Sequence, residues 1–372
     1  NAGIEVWLLD LPSDGENVNS LSAKGLERLK DPDMPGLMSE EAEKLIRLGN
    51  TRDHFHELED CDWVAEAVVE RLDIKQTLYQ RLNNTCKEST IITSNTSTIP
   101  ISLLTEGMPR KFCERFAITH FFNPVRFMRL LELVRGEFTR DDVINTLDFF
   151  SETMLGKGVV SCSDTPGFLA NRVGVFAIQC ALHKAFEYKL SPTEADAFFG
   201  RPLGLPKTGV FGLYDLIGID LMADVVKSLV SILPENDAFH KYSSPIEFMT
   251  DMIANGQTGN KNEKGFYKQV GDERKVIDLS NGNYVAHERL KTPLLEEAEK
   301  TGISFIINDK SPYGLYIWDV IAETLCYAAS LVPEVTDDLT QIDDAMKLGY
   351  NWVKGPFELL DEIGIEYFVD RL

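Results

Sequence analysis

Apolar and polar positions alternate in blocks through the first 160 residues. Ile4 to Leu9 is apolar apart from Glu5, is rich in residues that favour extended backbone, and ends at Asp10. Such a run predicts a buried parallel strand closed by an acid. Residues 20–49 predict two helical stretches separated by DPDMPG, whose prolines and glycine break a helix. Strand-like runs follow at 62–70 (DWVAEAVVE), 90–97 (TIITSNTS), 116–124 (FAITHFFNP), 129–134 (RLLELV) and 158–162 (GVVSC). Between them, Ile74, Leu78 and Leu82 recur every four residues within 73–86, the spacing of one helix face, and 141–154 predicts another helix. Strands alternating with helices of this length predict a parallel α/β sheet.

From residue 163 the pattern changes to long helices. The segment 167–189 is apolar over much of its surface and predicts a helix buried in a bundle. GVFGLYDLIGID (209–220) and GPFELLDEIGIE (355–366) align without a gap and share Gly, Phe, Leu, Asp, Ile, Gly and Ile. Each is preceded by a helix entered through a hydroxyl-rich turn, at 191–200 and 336–349. This predicts a duplicated helical unit, with the polar stretch 255–292 as the connector between the copies. The expected boundaries are 1–162, 163–290 and 291–372.

A net charge of −22 argues against nucleic acid as a partner, since that needs clustered Lys and Arg. A phosphate-bearing small molecule stays open, because local lysines and helix N-termini can hold phosphates in an acidic protein. No apolar stretch has the length of a membrane span. The six cysteines are widely spaced and form no CxxC pair, which predicts reduced thiols. His54 and His56 are one residue apart, no four-ligand set is read around them, and no metal site is expected.

Four segments could carry chemistry. His120 follows a strand-like run, so it belongs at the carboxyl end of a strand, where open parallel sheets bind ligands. A neutral imidazole there can take a proton. Glu132, between apolar neighbours in RLLELV, could hydrogen-bond it and fix its tautomer. SNTS (94–97) closes another strand, and its Asn95 and Ser97 could equally satisfy a turn. DTPGFLANR (164–172) stands where the helical half begins, with Asn171 one turn into a helix entered through Pro166 and Gly167.

In combination, SNTS, HFFNP with a Glu eight residues after its Pro, and DTPGFxxNR resemble the L-3-hydroxyacyl-CoA dehydrogenases of fatty-acid β-oxidation. The resemblance extends to VAEAVVERLDIK (64–75), GNKNEKGFY (259–267) and both Gly-turn-helix segments; the second copy is similar to that of long multifunctional proteins. It implies an α/β Rossmann-type domain followed by two related all-α domains, and NAD-dependent oxidation of L-3-hydroxyacyl-CoA to 3-ketoacyl-CoA. His120 corresponds to the catalytic base and Glu132 to its paired acid, while Ser97 and Asn171 correspond to residues that bind the 3-oxygen. Asp10 corresponds to the ribose-binding acid, and Glu70, Lys75, Asn123 and Lys261 to positions that contact NAD or line its site. A cytoplasmic homodimer, with other β-oxidation enzymes as partners, is also implied.

The family's glycine-rich first strand and loop have no counterpart in these residues, so NAGIEVWLLD resembles the end of the first helix plus the second strand. The expectation is an N-terminally truncated Rossmann domain with two exposed strand edges and weak NADH binding. A non-catalytic acyl-CoA-binding or assembly fragment of a larger protein is the alternative. A 6-phosphogluconate-type enzyme would instead use a catalytic lysine.

Overall fold

The computed structural model describes residues 1–372, which form two compact units, Asn1–Asp164 and Thr165–Leu372. No helix is long and apolar enough to cross a membrane.

The first unit contains seven strands in two sheets. β1 (Val6–Asp10) pairs in parallel with β2 (Ile46–Asn50). The other five are β3 (Trp63–Glu66), β4 (Ile91–Ser94), β5 (Phe116–Phe121), β6 (Leu130–Arg135) and β7 (Gly158–Cys162), hydrogen-bonded in that order. β6 runs antiparallel to β5, so the sheet is mixed rather than wholly parallel. Successive side chains of β5 serve opposite faces. Ala117 packs with Leu133 and with Val143 and Leu147 of the helix Asp141–Thr153. Phe116 meets Tyr79 and Phe112, with ring centroids 5.1 and 5.5 Å away.

Several expectations are corrected here. β1 is parallel, but it is not buried: no strand covers its second edge, and Val6 is 47% exposed. The span 20–49 holds the helix Ser20–Arg28 and a single turn at Glu40–Glu43, and then gives way to β2 instead of a second long helix. Pairing with β1 outweighs the weak local preference of IRLGN. The strand expected over 62–70 ends at Glu66, where the chain turns to follow the Glu66 carboxylate. On the helix Leu72–Thr85 the deepest positions are Lys75, Tyr79 and Leu82, displaced from the Ile74–Leu78–Leu82 stripe. A lysine lies inside because a carboxylate meets it there.

In the second unit the helices Ala170–Glu187 and Pro312–Ser330 pack against each other, and both are buried over most of their length. A Cβ at Gly174 would stand 2.1 Å from the Tyr350 ring, so glycine permits the close approach of the helix Leu339–Tyr350. The two Gly-turn-helix segments adopt the same form: a helix ends at Gly218 (φ 111°) or Gly364 (φ 89°), and another begins at once. Each is entered past an aspartate. Asp196 accepts from the Phe211 and Gly212 amides at 2.7 and 2.9 Å, and Asp343 from the Phe357 amide at 2.8 Å. The unit is not all-α. The expected connector folds into a three-stranded antiparallel sheet of β8 (Tyr267–Val270), β9 (Glu273–Ile277) and β10 (Tyr284–Ala286). Its polar sequence conceals the alternation that places Val276 in the core.

Two tests follow from these aspartates. A Cβ on Gly209 would lie 2.3 Å from Asp196 Cβ, and at φ 65° any side chain is strained. Gly209→Ala should therefore cost about 1–3 kcal/mol in urea unfolding. Loss of solvent raises Asp196 to about 7, and Asp215 and Asp343 to about 6, from an ordinary value of 3.8. Such groups hold protons more tightly folded than unfolded. Their contribution to stability is full below the unfolded value of 3.8 and is lost as pH rises from there to the folded values, about 6 for Asp215 and Asp343 and about 7 for Asp196. Asp215→Asn should flatten the fall in Tm across that window, whatever its constant offset.

Candidate functional site

Three parallel strands, β3, β4 and β5, end on one edge, with Glu66, Ser94 and His120 at or next to their last residues. His120 and Glu132 are register partners across β5 and β6. In an antiparallel pair such partners point to the same face and touch. His120 Nδ1 lies 2.6 Å from Glu132 Oε2, the His120 side chain is 9% exposed, and that of Glu132 is fully buried. The Cys162 thiol, at the end of β7, reaches the second Glu132 oxygen at 3.9 Å. A buried carboxylate beside Nδ1 favours a proton on that nitrogen, which leaves Nε2 as the acceptor.

A second cluster surrounds Glu66. Its Oε1 accepts from the Val68 amide at 2.6 Å and from Lys75 Nζ at 2.7 Å, and its Oε2 accepts from the Tyr79 hydroxyl at 2.5 Å and Ser94 Oγ at 2.7 Å. All four donors point at one carboxylate, so both of its oxygens are satisfied in a dry site. Lys75, 1% exposed, also lies 3.3 Å from Glu70 Oε2. Thr96 and Thr98 donate to the other Glu70 oxygen. Burial opposes the Glu70 charge, but the Thr96 bond and Lys75 outweigh it and hold the carboxyl below its ordinary range. Asn95 Oδ1 accepts from the Phe121 amide at 2.9 Å, so this side chain ties β4 to β5.

The other candidates are placed as follows. Ser97 is half-buried in the turn after β4. Asp10 is exposed at the end of β1 and caps the Leu11 amide at 2.7 Å. Asn123 is exposed just beyond β5. Asn171 belongs to the second unit, in the first turn of the helix Ala170–Glu187, with the Tyr350 hydroxyl 3.5 Å from its Oδ1. Lys261 belongs there too, paired with Asp220 at 2.6 Å. Glu66 and Tyr79 escaped sequence reasoning, and Ser94 and Thr96 were marked only as part of SNTS. The one available signal was a second glutamate four residues before Glu70, on a strand read as buried.

Residues 1–165 match the family model described as 3-hydroxyacyl-CoA dehydrogenase, NAD binding domain, and residues 167–269 match 3-hydroxyacyl-CoA dehydrogenase, C-terminal domain. A Rickettsia felis protein named as a fatty acid oxidation complex trifunctional enzyme is 41% identical over 97% of this chain and 50% of its own length. The mitochondrial hydroxyacyl-coenzyme A dehydrogenase of Rattus norvegicus is 34% identical over 68% of this chain and 81% of its own. The crystal structure of 3-hydroxybutyryl-CoA dehydrogenase from Escherichia coli K12 superimposes with a TM-score of 0.72. It covers 99% of this chain and 88% of that one at 22% identity, which shows a common fold. The chain spans about half the length of the first curated relatives it matches.

The Glu66 cluster generates a stability test. Lys75→Met leaves a buried carboxylate without its cation and should cost about 3–5 kcal/mol in urea unfolding. Adding Glu66→Gln should recover part of that loss, because the stranded charge is removed. Additive losses in the double variant would show that the two side chains do not act as a pair.

Proposed function

The chain belongs to the 3-hydroxyacyl-CoA dehydrogenase family, and from that premise we propose that it oxidises an L-3-hydroxyacyl-CoA to the 3-ketoacyl-CoA with NAD. The observation that carries the reading is the buried His120–Glu132 pair at the carboxyl edge of the sheet. His120 Nε2 takes the substrate hydroxyl proton, and Glu132 stabilises the imidazolium so formed. Ser97, on the turn beyond β4, holds the 3-oxygen where charge changes. The resemblance gives Asn171 the same role.

The donor set suits a dinucleotide. An exposed carboxylate ends β1, as ribose binding needs, and Glu70 stands in the loop after β3 with its charge held by Thr96 and Lys75. By the resemblance Asp10, Glu70 and Asn123 would hold NAD, with Lys75 buried behind Glu70 and steadying its charge; the resemblance also assigns Lys261 to NAD. When bound, NAD supplies the hydride acceptor. The carboxylate of Asp10 favours NAD over a cofactor bearing a 2′-phosphate. A cytoplasmic homodimer belongs to the same reading, and sedimentation tests the dimer.

The test is His120→Gln in protein that turns over acetoacetyl-CoA with NADH. The expected outcome is a loss of roughly 10²–10⁴-fold in kcat, the usual size of a general-base effect, with little change in KM. Near-normal turnover would make His120 structural and end the proposal.

A further inference from the structure

The sheet β8–β10 is not used by the dehydrogenase reading, yet it forms one wall of an open cavity of about 390 Å³. That size suits a small molecule, for which sites run ~300–1,000 Å³. Lys264, Lys268 and Lys275 line it together with Gln257, Asn283 and Tyr284, and no carboxylate does. In a chain of net charge −22, three converging cations without an acid are unusual company.

Two of the lysines are also badly placed for the sheet alone. Lys268 and Lys275 are directly opposed in the β8–β9 register. Like charges at that position destabilise an antiparallel pair. Glu273 shares the face of β9 that carries Lys275, but its register partner is Val270 and it forms no ion pair with either lysine. The ion pairs of this region run from Lys261 to Asp220 and from Arg289 to Glu299, leaving all three lysines without a carboxylate. Lysine on an edge strand can serve simply to discourage edge-to-edge pairing. That accounts for Lys268, since β8 is an edge, but not for Lys275, because β9 is the central strand. The wall is also held in place. The Tyr284 hydroxyl donates to the Gly265 carbonyl and accepts from Gln257 Nε2 at 3.2 Å, and Lys268 Nζ sits 3.8 Å from the centre of the Tyr284 ring.

We propose that this cavity is a binding site for a multiply charged, phosphate-bearing small molecule, with Lys268 and Lys275 as its main cationic contacts and Lys264 at its rim. Lysine ammonium groups act as point charges toward phosphate oxygens, and a bound anion between the opposed pair removes their repulsion. The phosphates can come from a free anion or from the nucleotide end of a coenzyme A thioester. The second source rests on the dehydrogenase reading, and the first does not.

Calorimetric titration of the 372-residue chain at low ionic strength tests this, with pyrophosphate and adenosine 3′,5′-bisphosphate as the two probes. One saturable site for at least one probe is expected. Tighter binding of the bisphosphate assigns the site to the coenzyme's nucleotide end, and tighter or equal binding of pyrophosphate assigns it to a free anion. Lys268→Ala/Lys275→Ala should weaken binding about ten- to a hundred-fold, the loss of one or more charge-assisted bonds, with an unchanged far-ultraviolet circular dichroism spectrum. Should that variant not fold, Lys275→Gln keeps the stem and should shift binding in the same direction. The proposal is overturned if neither probe saturates below ~1 mM, a Kd worth only about 4 kcal/mol. It is equally overturned if the lysine substitutions leave binding unchanged, or if sulfate at matched ionic strength binds as well. Because neither probe needs turnover or NAD, these outcomes stand apart from the fate of the catalytic reading.

Discussion

A carboxylate taken out of water must find a donor for each oxygen, and four of them mark the junctions on which this protein is built. Glu66, Glu132, Asp215 and Asp343 are all buried. Each is met locally: Glu66 by an amide, an ammonium and two hydroxyls, Glu132 by an imidazole and a thiol, and the two aspartates by backbone amides. Desolvating an unmatched charge would cost several kcal/mol, so none of these positions tolerates loose packing. In a chain with so many acids, the few that lie inside fix backbone that has no other reason to stay still.

The two kinds of partner have different consequences. Where amides alone meet the carboxylate, burial wins: Asp215 and Asp343 hold protons more tightly than usual, and their work is to seat a loop or start a helix. Where other side chains meet it, the carboxylate organises groups with chemistry of their own. Glu66 keeps an ammonium inside the sheet edge, and that ammonium in turn steadies Glu70, whose charge faces outward. Glu132 does the same for His120. The edge of the sheet thus presents an imidazole and a carboxylate, each backed by a buried group of opposite character.

Much of this edge was legible in the sequence because it follows from strand periodicity. FAITH and RLLELV are short, strongly patterned strands, and their hairpin-like register puts His120 opposite Glu132. Other parts resisted for physical reasons. β2 is five residues with a glycine and an asparagine, and only its partner β1 makes it a strand. Lys75 reads as a surface residue in any helix pattern, since its burial depends on Glu66, nine positions away and on another element. The sheet of 267–286 is hidden by charged residues on its outer positions. Asn171 was legible as a helix-entry asparagine, but its surroundings are set by Tyr350, far along the chain.

The two Gly-turn-helix copies show where duplication ends and function begins. Both keep an aspartate that caps the incoming helix and a glycine that lets it approach. They differ at the next shared aspartate. In the first copy, Asp215 turns inward and accepts from the Phe266 and Tyr267 amides at 2.8 and 2.7 Å, which anchors the end of GNKNEKGFY. Gly265 allows this, because a Cβ there would stand 1.9 Å from Asp215 Oδ1. In the second copy the matching residue, Asp361, is exposed. The same side chain is therefore structural scaffolding for a loop in one copy and an ordinary surface acid in the other. The loop that carries Lys261 and leads into the lysine-lined sheet is built on the first copy alone, so the second copy contributes packing to this unit rather than a second such site.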